Sequence, residues 1–152
     1  MDASAAQLCR QIIDTGHRSV LIVTDGALRQ LGVAERAAAA LLASDIDVHW
    51  FDKVMPDPTF DLVREGAEAL RIAGSTAVLA VGGGSSIDAA KAIAASRYCS
   101  DDPQTWVGFN KAPKEAAAIY VIPTTAGTGS EATMGAVITD SGTHTKHVVA
   151  GE

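Results

Sequence analysis

The sequence predicts an α/β fold in which a parallel sheet carries helices on both faces and a β-hairpin closes the C-terminal end. Three observations lead there. Short apolar, β-branched runs alternate with blocks of helical periodicity as far as Ile122, the pattern of strand–helix repeats around a parallel sheet. One such run, Thr76 to Val81, ends in Gly82-Gly83-Gly84 and passes straight into the alanine-rich stretch Ile87 to Ala95. Near the C-terminus, Ala136 to Thr139, the turn Asp140-Ser141-Gly142, and Lys146 to Ala150 read as an antiparallel hairpin.

The elements follow in order. Ala5 to Ile13 is helical, with Leu8, Ile12 and Ile13 on one face, and ends near Gly16. Ser19 to Thr24 is a buried strand closed by Asp25-Gly26. Two helical pieces come next, a short one to Leu31 and a longer one from Val33 to Ala43. Asp47 to Phe51 is the second strand, and Asp52 to Pro58 a proline-bearing loop. Phe60 to Ala73 is helical, its inner face formed by Leu62, Val63, Ala67 and Leu70. The third strand and its glycine triplet lead into a helix reaching about Ser96, and Tyr98 to Lys114 is an irregular loop. Ala118 to Ile122 reads as a buried fourth strand whose hydrogen bonding Pro123 terminates.

At 152 residues, with 47% hydrophobic, 20% charged and 5% aromatic side chains, the chain suits one globular domain whose helices are filled by alanine. A formal net charge of −6 and the lack of a Lys/Arg cluster argue against a nucleic-acid surface. No apolar run reaches membrane-spanning length, and Met1-Asp2 opens an amphipathic stretch rather than a signal peptide. Cys9 and Cys99 form no CxxC pattern and read as two buried or incidental thiols in a reducing cytoplasm.

The chemistry concentrates in two glycine-rich segments. A strand that ends in three glycines and turns into a helix lets backbone approach a ligand, and the helix start offers unpaired N–H groups and partial positive charge. Gly82, Gly83, Gly84 and Ser85 are thus positioned for a phosphate or pyrophosphate. A tight turn with a good N-cap and no ligand is the competing reading, with Ser85 and Asp88 spaced as a capping box. The second segment, Thr124-Thr125-Ala126-Gly127-Thr128-Gly129-Ser130-Glu131, is too polar for core and too poor in charge for a solvated linker. Its hydroxyls and backbone N–H groups suit a ribose, phosphate or amide, and the alternative is a Ser/Thr-capped turn into a helix. Asp25, the triplet and this loop all fall at the carboxyl ends of strands, where open parallel sheets bind ligands.

Asp25 before Gly26 commonly caps a turn. Its functional reading is a carboxylate that accepts hydrogen bonds from the adenosine ribose and repels a 2′-phosphate, by about 1 kcal/mol at 4 Å in water-like surroundings and about 4 at an effective dielectric of 20. That favours NAD over NADP. Lys91 falls outside the first turn of its helix and reads as solvated. His17 and His49 are isolated, and His144 and His147 would point to opposite faces of a hairpin, so no metal set is expected. There is no G-x-S-x-G, no Walker lysine and no nucleophile–base pair to support hydrolysis.

Together, Gly-Gly-Gly-Ser-Ser-Ile-Asp-Ala-Ala-Lys-Ala-Ile-Ala from Gly82 and Ile-Pro-Thr-Thr-Ala-Gly-Thr-Gly-Ser-Glu-Ala-Thr from Ile122 resemble the iron-containing (group III) alcohol dehydrogenases. Dehydroquinate synthases and glycerol dehydrogenases share the triplet turn but differ after the Pro-Thr. The resemblance extends through the strand ending at Asp25, the Asp57-Pro58-Thr59 loop and Val137-Ile138-Thr139-Asp140. It implies a Rossmann-like N-terminal domain, as in dehydroquinate synthase, whose triplet holds the NAD pyrophosphate. It further implies that Asp25 reads the ribose, that Thr124, Thr125 and Thr128 line the cofactor, and that Lys146 lies near the nicotinamide. Asp88 belongs to the same glycine-turn motif.

The family begins with an extra strand and a Gly-x-Gly turn, and holds its Fe²⁺ or Zn²⁺ in an all-helical domain expected after Glu152. The resemblance therefore implies a dinucleotide-binding domain over 1–152, truncated at both ends, with neither catalytic nor metal-ligating residues of its own. Its partners would be NAD, a small alcohol or aldehyde in the full-length enzyme, and further copies of itself as a homo-oligomer. A non-catalytic nucleotide-binding module acting through a partner chain is the alternative.

Overall fold

A computed structural model describes residues 3–151. The expected start of the amphipathic stretch at Met1-Asp2 lies outside the described residues. Strands β1 (Ser19–Asp25), β2 (Asp47–Val54), β3 (Ala77–Gly82) and β4 (Ala118–Pro123) form one parallel sheet in the order β2-β1-β3-β4. Helices α1 (Ala3–Asp14), α2 (Gly26–Gln30), α3 (Val33–Ala37), α4 (Ala39–Leu42), α5 (Phe60–Ile72) and α6 (Gly84–Ala95) connect them, and β5 (Gly135–Thr139) and β6 (Lys146–Ala150) form the antiparallel hairpin.

Alternation along the two central strands produces two cores, as the pleat requires. Leu21, Val23, Val78 and Ala80 face α5 and α6, where Val63, Leu70, Ile87 and Ile93 complete one buried cluster. Val20, Ile22, Ala77, Leu79 and Val81 face the other way, onto Cys9 and Ile12 of α1 and Ala34, Ala38 and Leu41. Helices on both faces leave both sides of β1 and β3 dry, which is why these strands read as unbroken apolar runs.

Helix starts follow their caps. Thr59 accepts from the Leu62 amide at 3.2 Å to open α5, and Asp25 accepts from the Leu28 amide at 2.8 Å to open α2. The inner stripe of α1 is Ala5, Cys9 and Ile12, with Leu8 and Ile13 at its margin. At the hairpin turn Asp140 accepts from the Gly142 and Thr143 amides at 2.8 and 3.2 Å. Those two bonds, first of Gly142 and then of Thr143, hold its carboxyl below the usual range. The hairpin lies on α6 through Ala136, Ile138 and Val149, and Thr139 N–H donates to the Pro58 carbonyl at 2.8 Å.

Several expectations need correction. The helix expected over Val33 to Ala43 is split at Ala38, whose φ of −91° and ψ of 8° interrupt α3 and α4. The Ala38→Ala34 and Leu42→Ala38 bonds persist across the break. β2 runs three residues past Phe51, because Val54 pairs with Asp25 across a register shift that takes up one extra residue of β2. β4 is no buried strand: it forms the sheet edge and no residue in it is fully buried. Val121 packs on one core and Ala118, Tyr120 and Ile122 on the other, but the open edge leaves each only partly buried, which a sequence window cannot distinguish from full burial. Pro123 does sit where a donor is dispensable, and Thr124 N–H resumes the ladder to the Gly82 carbonyl at 2.9 Å.

Candidate dinucleotide cleft

The sheet order reverses between β1 and β3, the place where an open α/β sheet leaves a crevice at its carboxyl edge. A cleft of about 610 Å³ occupies it, lined by Asp25 to Leu28, Val54 to Pro56, Gly83 to Ser86, Thr124 and Thr125. All four strands of the sheet contribute their ends or the residues after them.

Its floor is the β3–α6 turn. Gly83 is the N-cap of α6 and no side chain caps the helix; the first intrahelical bond is Ile87 N–H to the Gly83 carbonyl at 3.1 Å. The amides of the first turn are thus left to whatever occupies the cleft, at the positive end of the helix dipole. Loop 124–135 lies against this turn. A Cβ built on Gly83 would meet Thr125 Oγ1 at 2.9 Å, and one on Gly84 would meet Ser130 Oγ at 3.2 Å and Thr128 Cβ at 3.6 Å. Bare backbone N–H groups and hydroxyls therefore converge on one cradle, a donor set suited to phosphate oxygens.

The sequence-derived residues divide. Asp25, Gly83, Gly84, Ser85, Thr124 and Thr125 come together around the cleft. Gly82 lies beneath it at a φ of +156°, packed on Ser86. Thr128 approaches Gly84 from the loop. Lys146 is on the exposed hairpin, paired with Asp57 at 2.6 Å one residue beyond Pro56. The Ser85–Asp88 capping box is not formed, because α6 starts at Gly84 and so places Asp88 in its second turn. Asp88 instead accepts from the Val137 amide at 3.0 Å, beneath the hairpin.

Lys91, expected to be solvated, has only 16% of its side chain exposed. It donates to the Ser130 and Gly135 carbonyls at 2.6 and 2.8 Å and to Thr133 Oγ1 at 2.9 Å. Burial pushes its pKa down against the opposing charges of Asp88 and Glu131. Helical spacing places Lys91 on a face; that the face meets a loop some forty residues later is invisible in sequence. Val54, Met55 and Pro56 were equally hidden, since charged Asp52 and Lys53 end the apolar run early.

Among the described residues no three His, Cys, Asp or Glu side chains gather as a metal-ligand set. His17 is engaged by Thr76 Oγ1 at 2.9 Å and meets Tyr120 edge-on. These residues do not fit a metal ion. No helix among them is long and apolar enough to cross a membrane.

The chain is similar to known proteins along nearly its whole length. The family model for iron-containing alcohol dehydrogenase matches residues 2–152. The NAD-dependent methanol dehydrogenase of Bacillus methanolicus is 39% identical over 137 residues, 90% of this chain and 36% of that protein. The crystal structure of a 1,3-propanediol oxidoreductase superposes with a TM-score of 0.91 at 30% identity, over 98% of this chain and 39% of the other. A sulfoacetaldehyde reductase from Bifidobacterium kashiwanohense in complex with NAD+ gives 0.89 at 30% identity, over all of this chain and 40% of the other. The chain thus spans roughly two fifths or less of the proteins it matches.

Proposed function

The chain belongs to the iron-containing alcohol dehydrogenase family, and on that premise we propose that it is the dinucleotide-binding part of an NAD-dependent enzyme interconverting an alcohol and an aldehyde. The observation that carries the reading is the uncapped start of α6 beneath the hydroxyl-rich loop, inside a cleft large enough for a nucleotide. The first-turn amides and Thr124 and Thr125 would hold the pyrophosphate, with Thr128 steadying the loop above it. Asp25, at the end of β1, would accept from the adenosine ribose while Val54 to Pro56 and Leu28 supply an apolar wall. When bound, NAD supplies the hydride acceptor. Lys146, held by Asp57, would stand toward the nicotinamide end. The named relatives act on methanol, 1,3-propanediol and sulfoacetaldehyde, so the family leaves the choice of alcohol open.

Cofactor choice tests the reading. Asp25 carries a negative charge into the cleft, and the cation on α2, Arg29, is already committed: it pairs with Glu35, lies 3.7 Å from Asp52 and stacks 3.6 Å over Trp50. Calorimetric titration should show NAD+ binding at least about tenfold tighter than NADP+, the lower part of the repulsion expected for a 2′-phosphate beside a carboxylate. Asp25→Ser retains an N-cap acceptor for Leu28 and should narrow the gap. Tighter NADP+ binding by the unmutated chain would overturn the assignment.

We further propose that the chain self-associates. The hairpin exposes Val137 and Val148 beside Met134, and β4 leaves a strand edge with Ile119 exposed, the features that favour edge-to-edge or face-to-face pairing. Sedimentation should find dimers or larger species. A monomer at high protein concentration with NAD+ bound would refute this.

A further inference from the structure

Loop 124–135 is rich in glycine and hydroxyl residues, and its residues 124–128 and 131–134 are exposed, yet it sits close enough to the turn that a Cβ on Gly83 would clash with Thr125 and one on Gly84 would crowd Ser130. Its own short-range bonds, Ala132 N–H to the Gly129 carbonyl and Thr133 N–H to Ser130, shape a turn without fixing its height above α6. Two α6 side chains one turn apart do that. The Lys91 ammonium has three N–H donors, and the structure supplies three acceptors: the carbonyls of Ser130 and Gly135 and the hydroxyl of Thr133. Asp88 grips the chain just beyond, through Oδ2 and the Val137 amide. Its Oδ1 is buried without a hydrogen bond and lies 3.8 Å from Lys91 Nζ, so the two charges face each other under the loop.

Neither side chain lines the cleft. We propose that Lys91 and Asp88 form a clamp that positions loop 124–135 over the phosphate turn, making dinucleotide affinity depend on two residues that never touch the nucleotide. The inference rests on the dinucleotide reading of the cleft. The physical basis is preorganisation: a loop held at its binding height loses less freedom when the ligand arrives. Polar groups that satisfy one another in a half-dry site also lose more than one neutral bond when a partner is removed.

Lys91→Met keeps the unbranched apolar stem and removes all three donors. Hydrogen exchange without nucleotide should quicken at the Ala132, Thr133 and Val137 amides, and NAD+ affinity should fall roughly tenfold to a hundredfold. Adenosine has no phosphate and would contact the Asp25 wall, so its binding should be unchanged. Thr133→Val removes, at an exposed position, the hydroxyl that accepts from Lys91 and donates at 3.3 Å to the Ser130 and Gly135 carbonyls; it carries little risk to folding and should weaken NAD+ about threefold, as for one modest hydrogen bond. Unchanged exchange, unchanged NAD+ affinity in both variants, or an equal loss for adenosine would each overturn the clamp. Titration of the unmutated chain with NAD+ separately checks the cleft reading, which the nucleotide-free exchange does not need.

Discussion

Gly83→Val is expected to weaken NAD+ binding at least about a hundredfold while the chain retains its fold. The backbone at Gly83, with φ −85° and ψ −167°, suits any L-residue, so the substitution brings no conformational strain. Space is what it lacks. The new Cβ would stand 2.9 Å from Thr125 Oγ1 and 3.3 Å from its Cγ2, and the two γ-methyls would lie between the α6 amides and the loop. An anion there loses two bonds of about 1.5–3 kcal/mol each, which sums to about 3–6 kcal/mol and so roughly two to four decades of affinity. Calorimetry with NAD+, beside a circular dichroism spectrum matching the parent, tests this. Parent-like affinity would mean that the triplet is only a turn.

Gly82→Ala, one residue earlier, should act on stability instead. Gly82 has a φ of +156°, and a Cβ there would come within 2.4 Å of Ser86 Oγ and 2.6 Å of Ser86 Cβ. Ser86 is 2% exposed and cannot swing away. Backbone strain of about 1–3 kcal/mol and overpacking of a similar size add to about 2–6 kcal/mol. The urea midpoint should fall accordingly at an unchanged slope. Adding Ser86→Gly removes the contact but not the torsional strain, so the double variant should recover part of the loss. A Gly82→Ala chain as stable as its parent would refute the account.

Neighbouring glycines with different duties show how far the site was legible in sequence. Three glycines after an apolar run mark a strand-to-helix turn because missing Cβ atoms let the backbone bend and be approached closely, and Asp25 and the Thr-rich loop are equally visible as unusual residues at strand ends. The division of labour is not. Whether a glycine serves a ligand or a packed neighbour depends on what lies above it, here Ser86 for Gly82 and Thr125 for Gly83. Asp88 shows the same limit: its spacing from Ser85 fits a capping box, yet the helix begins elsewhere and the carboxylate serves the hairpin.

By itself the sequence determined the alternation of strands and helices, the parallel sheet, the hairpin and the glycine turn, because periodicity and backbone permissiveness are local properties. It also carried the family through two contiguous motifs. Only the tertiary structure decided that β4 is an edge, that β2 reaches Val54 to wall the cleft, and that Lys91 is a half-dry staple rather than a solvated charge. Each of these depends on a partner distant along the chain: a strand with no neighbour on one side, a register set by Asp25, and carbonyls some forty residues beyond the ammonium they bind. Such pairings are settled by packing free energy over the whole fold, and no window of residues contains them.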